Sequence, residues 1–434
     1  MIGLIIYNLL FLLAFLLSIP FFVFKMIKYG KYRAGILQRF GFYPKQFRIF
    51  LSDKKTIWLH AVSVGEVMSV LPFIEGLEKQ YPSNQIVVST TTLSGNLIAR
   101  KKISRKIPVF YFPLDFFWSV SRALKVIHPS VIILTETEIW PNFLSAAFSR
   151  SIPVSLINAR VSEKSYIRYR FIKWLVSPLL SRIDIITAQT TEDVDRLKFL
   201  GARPARLKLT GNLKYETALL QAASSDEIEN YRNLMGFSDK DIVWVCGSTH
   251  EGEEIILVEI WERLRKLFPS LRLIIAPRHP ERWKKVEVLI RQKGLPCIKR
   301  SVLKGKALVP LDMILLDTMG ELSKLYALAS IVFVGKSLLH NGGQNILEPA
   351  SLGKPVLFGP HMENFKDISD LFLASGAVIQ VQDGVDLEKT MIRLIKNTKE
   401  CDAIGKKSKD IVQANQGATR KTLSLLREIY FQSK

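Results

Sequence analysis

Two doubly wound α/β domains, each on a parallel sheet, behind an apolar N-terminal helix: that is the fold class predicted by this 434-residue sequence. Three observations point to it. Short β-rich runs alternate with amphipathic segments along most of the chain, the signature of βαβ units. The alternation lapses once, in a polar stretch at 217–239, and then resumes, which splits the chain in two. Residues 2–24 carry no charge.

Composition narrows the class. Hydrophobic residues make up 48% of the chain, enough for sizeable cores, and Gly (24) and Pro (19) are ordinary, so disordered and collagen-like chains are excluded. Lys and Arg number 61 against 39 Asp and Glu, a formal charge of +22 that implies an anionic partner. The three cysteines, Cys246, Cys297 and Cys401, lie far apart in no CxxC spacing, which argues against a disulfide framework or zinc site and fits a reducing compartment.

The first element is the run IGLIIYNLLFLLAFLLSIPFFVF (2–24). As a helix it would extend about 34 Å, enough for a hydrocarbon core of about 30 Å. No basic segment precedes it and no A-x-A-like site follows, so an uncleaved anchor is expected rather than a signal peptide. Pro20 is expected to kink or end the helix, which leaves a deeply inserted or re-entrant anchor open. Lys25, Lys28, Lys31, Arg33, Arg39, Lys45 and Arg48 follow before any acidic residue. They place the rest of the chain on the cytoplasmic side. Interleaved with Phe40, Phe42, Tyr43 and Phe47, they either lie on an anionic leaflet or form a solvated basic face. A membrane-held chain makes nucleic acid the poorer explanation of the charge.

Strands are expected at 56–60, 86–91, 109–112, 131–135, 153–158, 183–188 and 206–210, with helices at 66–79 and 191–200, the latter ending at Gly201. After a linker at 217–240, strands are expected at 242–246, 271–276, 313–316, 331–335, 355–359 and 377–381. The domain reading is an anchor (1–25), an N-terminal domain (26–216), the linker, and a C-terminal domain (241–434) whose last helix packs back toward the first. The domains are expected to face each other across a cleft, with chemistry at the C-terminal ends of their strands.

The chemically suggestive residues sit at those ends. Glu66, in HAVSVGE (60–66), falls in a helix's first turn, where it either complements the helix dipole or acts as a general base. Glu136 and Glu138, in ETEIWPN (136–142), directly follow a strand; one of them can cap the next helix, both less readily. Lys214, in GNLK (211–214), is either a solvated lysine or a cation offsetting charge that develops in a transition state. In the second half, Ser248 with Glu251 and Thr318 with Glu321 have capping-box spacing. Arg278 and His279 follow a strand. GKSLLHNGGQNILEPASLGKPVLFGP (335–360) reads as strand, glycine loop, helix start with Asn345 and Glu348, and strand. Such a frame suits a nucleotide-sugar, with backbone donors on phosphate and a carboxylate on ribose hydroxyls.

No Walker A, GxGxxG, HExxH or GxSxG motif is present, so ATPase, dinucleotide oxidoreductase, zincin and α/β-hydrolase readings lose their usual support. The six histidines lack metal-ligand spacing.

Taken in order, HAVSVGE, ETEIWPN, NARVS (158–162), GNLK, STHEGEE (248–254), PRHPER (277–282), DTMGEL (317–322), NILE (345–348) and GPH (359–361) resemble the bacterial 3-deoxy-D-manno-octulosonic acid (Kdo) transferases of lipopolysaccharide assembly over nearly the whole chain. The resemblance implies a GT-B fold and inverting transfer of Kdo from CMP-Kdo to a lipid A precursor, one or several units, without metal or cofactor. It also implies work at the cytoplasmic face of the inner membrane. By motif, Glu66 matches the family's general base and Glu136 and Lys214 its transition-state stabilisers. Pro277, Arg278, Met319, Gly320, Glu321, Asn345, Ile346, Leu347 and Glu348 match its donor contacts. Lys336 stands where a second glycine is expected. Two other readings compete: another GT-B enzyme using a UDP-sugar, as transferase or epimerase, and a non-catalytic membrane-surface protein tethering nucleic acid or lipid. Tyr166, Arg168 and Arg170 either meet acceptor phosphates or form a solvated basic face.

Overall fold

The structure, a computed structural model, describes residues 2–29, 33–51, 55–218, 223–305, 307 and 309–430. Lys31, the Arg48 side chain and positions 219–222 of the expected linker lie outside the described residues. The chain divides into two compact units, residues 1–217 with 416–434, and residues 218–415.

Among the described residues, the first unit is built on seven parallel strands: β1 (Thr56–His60), β2 (Gln85–Thr90), β3 (Val109–Tyr111), β4 (Pro129–Thr135), β5 (Val154–Ala159), β6 (Ile185–Ala188) and β7 (Leu207–Leu209). Their order is β3-β2-β1-β4-β5-β6-β7. Helices cover both faces, so the strands are apolar on both sides. Trp58 packs into one core with Phe110, Ile132 and Phe143, while Ile57 and Leu59 pack into another with Phe73, Val88 and Leu426. The strand order reverses between β1 and β4, and their C-terminal ends form the crevice typical of such a switch point.

The expected helix at 66–79 is two helices, Val64–Ser69 and Leu71–Gln80, broken at Val70. Pro72 has no N–H for an i−4 bond and tolerates only the first turn of a new helix. The N-terminal helix, by contrast, runs unbroken through Pro20 from Ile2 to Tyr29. The basic run is not one solvated or lipid-facing surface. The Arg39 guanidinium lies 4.6 Å from the Tyr111 ring centre and donates to the Thr91 carbonyl at 2.6 Å, and Tyr43 is buried, stacked on Phe47.

The last helix, Ala418–Tyr430, belongs to the first unit. The Glu216 carboxylate accepts from the Gly417 and Thr419 N–H groups at 2.8 and 3.0 Å at its start. Leu423 lies over Gly76, where any side chain would collide with it.

The second unit repeats the architecture: β8 (Ile242–Thr249), β9 (Leu271–Pro277), β10 (Ile298–Lys299), β11 (Met313–Leu315), β12 (Ile331–Val334), β13 (Val356–Phe358) and β14 (Ile379–Gln380). They are parallel, in the order β10-β11-β9-β8-β12-β13-β14. The two-residue β10 was not expected; it is too short to carry a period. The polar stretch 217–240 holds the helix Ser225–Met235, opened by a Ser224–Glu227 capping box, with Tyr231, Leu234 and Met235 buried. Its apolar residues are few, so its polar face dominates the sequence there.

Candidate active site

Glu66 is placed by its own turn. Ser63 caps the helix Val64–Ser69, which puts Glu66 at the third helical position beside the C-terminal ends of β1 and β4. The Val62 N–H donates to Glu66 Oε2 at 2.7 Å, Thr135 Oγ1 to the same oxygen at 2.8 Å, and Ser63 Oγ to Oε1 at 3.0 Å. The side chain therefore spans the switch point. It is deeper than a freely accessible base, at 6% exposure.

Three donors would ordinarily hold a carboxylate ionised. Burial, reinforced by the negative charge of Glu136, outweighs them and raises the Glu66 carboxyl to about 7. Glu138 is raised to about 7 as well, by burial first and then by Glu66 and Glu136. Neither Glu136 nor Glu138 caps the helix Pro141–Ser149. That task falls to Asp115, whose carboxylate accepts from the Asn142 and Phe143 N–H groups at 2.9 and 2.8 Å.

Glu136 sits in left-handed backbone conformation (φ 56°), its N–H bonded to the Ile157 carbonyl at 2.9 Å. Its carboxylate lies 3.4 Å from the Lys214 ammonium. Lys214 opens the short helix Lys214–Thr217, and Asn158 and Asn212 set its place. Asn158 Oδ1 accepts from the Leu213 N–H at 3.0 Å and Asn212 Oδ1 from the Lys214 N–H at 2.9 Å. Asn158 is itself left-handed (φ 53°), a conformation asparagine tolerates better than most residues. Glu66, Glu136 and Lys214, far apart in sequence, thus meet in one cluster with Glu138. Sequence reasoning had set Glu138 beside Glu136 at the strand end without giving it a role, and had passed over Thr135 and Asn158 as site residues. Glu138 and Asn158 stood inside quoted motifs; Thr135, one hydroxyl at a strand end, gave no signal.

In the second unit the expected donor residues follow strands of the central part of the sheet, β9, β11 and β12. Pro277 ends β9, and the Arg278 N–H donates to the Thr249 carbonyl at 3.0 Å. Met319 is exposed, Gly320 takes φ 87°, and the Glu321 carboxylate accepts from Tyr231 Oη and Arg300 Nη2, both at 2.8 Å. Asn345 lies before the helix Leu347–Ser351 rather than in its first turn, accepting from the Leu347 N–H at 3.1 Å, while Ile346 and Leu347 are buried. Glu348 is pushed up by burial against the opposing pull of Asn345 and Arg278.

Neither expected capping box forms here. Ser248 belongs to β8, and Gly252 (φ 87°) precedes the helix Glu253–Leu267. Thr318 hydrogen-bonds the Glu321 side chain, and Glu321 itself precedes the next helix. Spacing alone misled, because a capping box also needs a helix that starts at the right residue. Lys336 adopts φ 57°, the backbone that suits glycine. His60 is buried, stacked on Phe112 and hydrogen-bonded through Nδ1 to Ser89.

Residues 34–217 match the family model described as 3-deoxy-D-manno-octulosonic-acid transferase (kdotransferase). The 3-deoxy-D-manno-octulosonic acid transferase of Haemophilus influenzae is 32% identical over 409 residues, covering 92% of each chain. That of Bordetella pertussis is 30% identical over 381 residues, covering 86% of this chain and 87% of its own. Among solved structures, the UDP-GlcNAc 2-epimerase of Neisseria meningitidis is 14% identical with a TM-score of 0.59, covering 86% of this chain and all of that one. At that identity the likeness is one of fold.

Proposed function

This chain belongs to the Kdo transferase family, and from that premise we propose that it is an inverting glycosyltransferase moving Kdo from CMP-Kdo onto a lipid A precursor at the cytoplasmic face of the inner membrane. The observation that carries the mechanism is Glu66, buried at the switch point with its carboxyl raised to about 7. A base poised there accepts a proton near neutral pH and returns it readily. The acceptor hydroxyl gives its proton to Glu66 as its oxygen bonds the anomeric carbon of Kdo. The bond to CMP breaks from the opposite side, and CMP leaves with its electron pair. Lys214, paired with Glu136, offsets the negative charge that develops during this displacement.

Pro277 and Arg278, Met319 to Glu321, and Asn345 to Glu348 form the donor subsite in this reading. It is supported by their common place after β11, β9 and β12, which with β8 between the last two are consecutive in the sheet. The excess of 61 basic over 39 acidic residues suits a donor and an acceptor that are both anionic. The apolar helix Gly3–Lys28, long enough to reach across a bilayer, suits an acceptor that is itself a lipid.

The test is product mass spectrometry with CMP-Kdo and a defined tetraacylated acceptor, which also counts the Kdo units added. Protection against unfolding by CMP but not by UDP is the expected companion result. Protection by UDP instead, with no Kdo in the product, would replace this reading with that of a UDP-sugar enzyme.

A further inference from the structure

Nothing in the length or hydropathy of the N-terminal helix says whether it crosses the bilayer or lies in it; its side-chain contacts do. Gly3, Tyr7, Phe11 and Phe15 recur every fourth residue and so form one stripe along the helix. That stripe lies on the first unit. Gly3 sits against the Trp174 indole, where a Cβ would come within 2.5 Å of the ring. Phe11 and Phe15 meet Phe116 edge-on with ring centres 4.9 and 5.0 Å apart. Beside the stripe is a polar clasp. Tyr7 Oη donates to Asp115 Oδ2 at 2.9 Å, and the Asn8 and Asn142 amides exchange hydrogen bonds at 3.1 and 2.8 Å. Asp115 and Asn142 are buried, and the Asp115 carboxylate caps the helix that follows the Glu136–Trp140 loop, accepting from the Asn142 and Phe143 N–H groups.

From Gly3 to Phe15 the contact runs about 18 Å at 1.5 Å per residue, more than half of a hydrocarbon core about 30 Å thick. A helix crossing the bilayer would drag the helices it rests on, Pro141–Ser149 and Lys173–Leu180, into the hydrocarbon, and with them Arg150 at the end of the first and Lys173 at the start of the second. Charged groups at that depth are strongly disfavoured. The opposite face is apolar and exposed, with Leu9 at 64%, Leu13 at 55% and Leu17 at 73%. Phe117 (65%) and Trp174 (52%), on elements that border the helix, continue that surface. At the C-terminal end, the Lys25 and Lys28 ammoniums fold back over Phe21 and Phe24, 4.3 and 5.3 Å from the ring centres, as at a headgroup boundary.

We propose that this helix lies within one leaflet, held along the first unit by the Tyr7–Asp115 and Asn8–Asn142 clasp, so that the protein is monotopic and the helix's N-terminal end stays on the same side as the two folded units. This rests on the membrane reading above. The partner is the cytoplasmic leaflet of an anionic bilayer, met by the exposed helix face, its flanking aromatic residues and the lysines at its end.

The test uses the full chain with an epitope at each end, in sealed inverted vesicles (cytoplasmic face outward) and in right-side-out spheroplasts. Added protease is expected to remove both epitopes from inverted vesicles and neither from spheroplasts. Loss of the N-terminal epitope from spheroplasts alone would overturn the proposal and leave the membrane reading standing. A chain recovered entirely without membranes would overturn both. Vesicles of brominated phosphatidylglycerol supply an independent measure: they are expected to quench part of the tryptophan emission, and Trp174→Phe to shrink the quenched share. Equal quenching in parent and variant would count against the proposed surface.

Discussion

Glu66 and Glu253 occupy matching places in two sheets and are held in opposite ways. Each follows the first strand of its unit, β1 or β8, beside the point where strand order reverses toward β4 or β12. The Glu253 carboxylate accepts four backbone N–H groups, from His250, Lys336, Ser337 and Leu338, at 2.8 to 3.0 Å, and is fully buried. It pins the loop after β12 to the loop after β8. Glu66 accepts one backbone N–H and two hydroxyls and faces the charges of Glu136 and Glu138. A carboxylate saturated with amide donors is fixed in place and serves as a staple between the loops that supply them. One set among other carboxylates, with fewer donors, is left able to exchange a proton. The switch point supplies the position; the neighbours decide whether the carboxylate is locked as structure or left available for the chemistry proposed for Glu66.

The widest separation of the two should come from neutralising Glu66. Glu66→Gln is expected to retain CMP-Kdo binding and fold stability while transfer falls about 10²- to 10⁴-fold, the share usual for a general base. Near-normal turnover in a product assay would take the role of base away from Glu66. Glu253→Ala should do the reverse, lowering stability by about 3 kcal/mol because four buried amides lose their acceptor. Denaturant titration of the full chain reads that loss, and a shift under about 0.5 kcal/mol, the scale of an ordinary surface change, would remove the staple from the comparison.

Sharper still is the pH dependence. Activity is expected to rise through about pH 7 as Glu66 ionises. In Glu136→Gln a neighbouring negative charge is gone, so the acid limb of kcat/KM should move to lower pH; an unmoved limb would mean that burial alone sets it. Glu138 favours folding in its protonated form, since its carboxyl is raised from 4.5 to about 7. Its contribution is complete below pH 4.5 and is lost as pH rises through 7. Glu138→Gln stays neutral throughout, so it should match the parent at pH 4.5 and exceed it in stability at pH 8. The smallest effect belongs to the second unit: Lys336→Gly, relieving a left-handed backbone, should stabilise by about 1 kcal/mol, read as a raised unfolding midpoint.

Much of this was legible before any coordinates. Strand positions followed from runs buried on both faces, and Glu66, Glu136 and Lys214 from motifs at strand ends. What failed was local and specific. Pro72 broke a helix that periodicity had joined, while Pro20 left unbroken one that its ring was expected to kink or end. Two capping boxes dissolved because their helices begin elsewhere. Asp115 gave no sign of its work, since its partners Tyr7 and Asn142 lie 108 and 27 residues away.

Sequence alone determined the class of fold and the family to which the chain belongs, and picked out the strand ends proposed to carry chemistry. These rest on periodicity, composition and contiguous motifs, which are local properties of the chain. Only the tertiary structure decided which carboxylates meet, which are saturated by amides, and which face of the first helix is covered. Burial and hydrogen-bond supply at one atom are set by residues distant along the chain, and no local pattern encodes their sum.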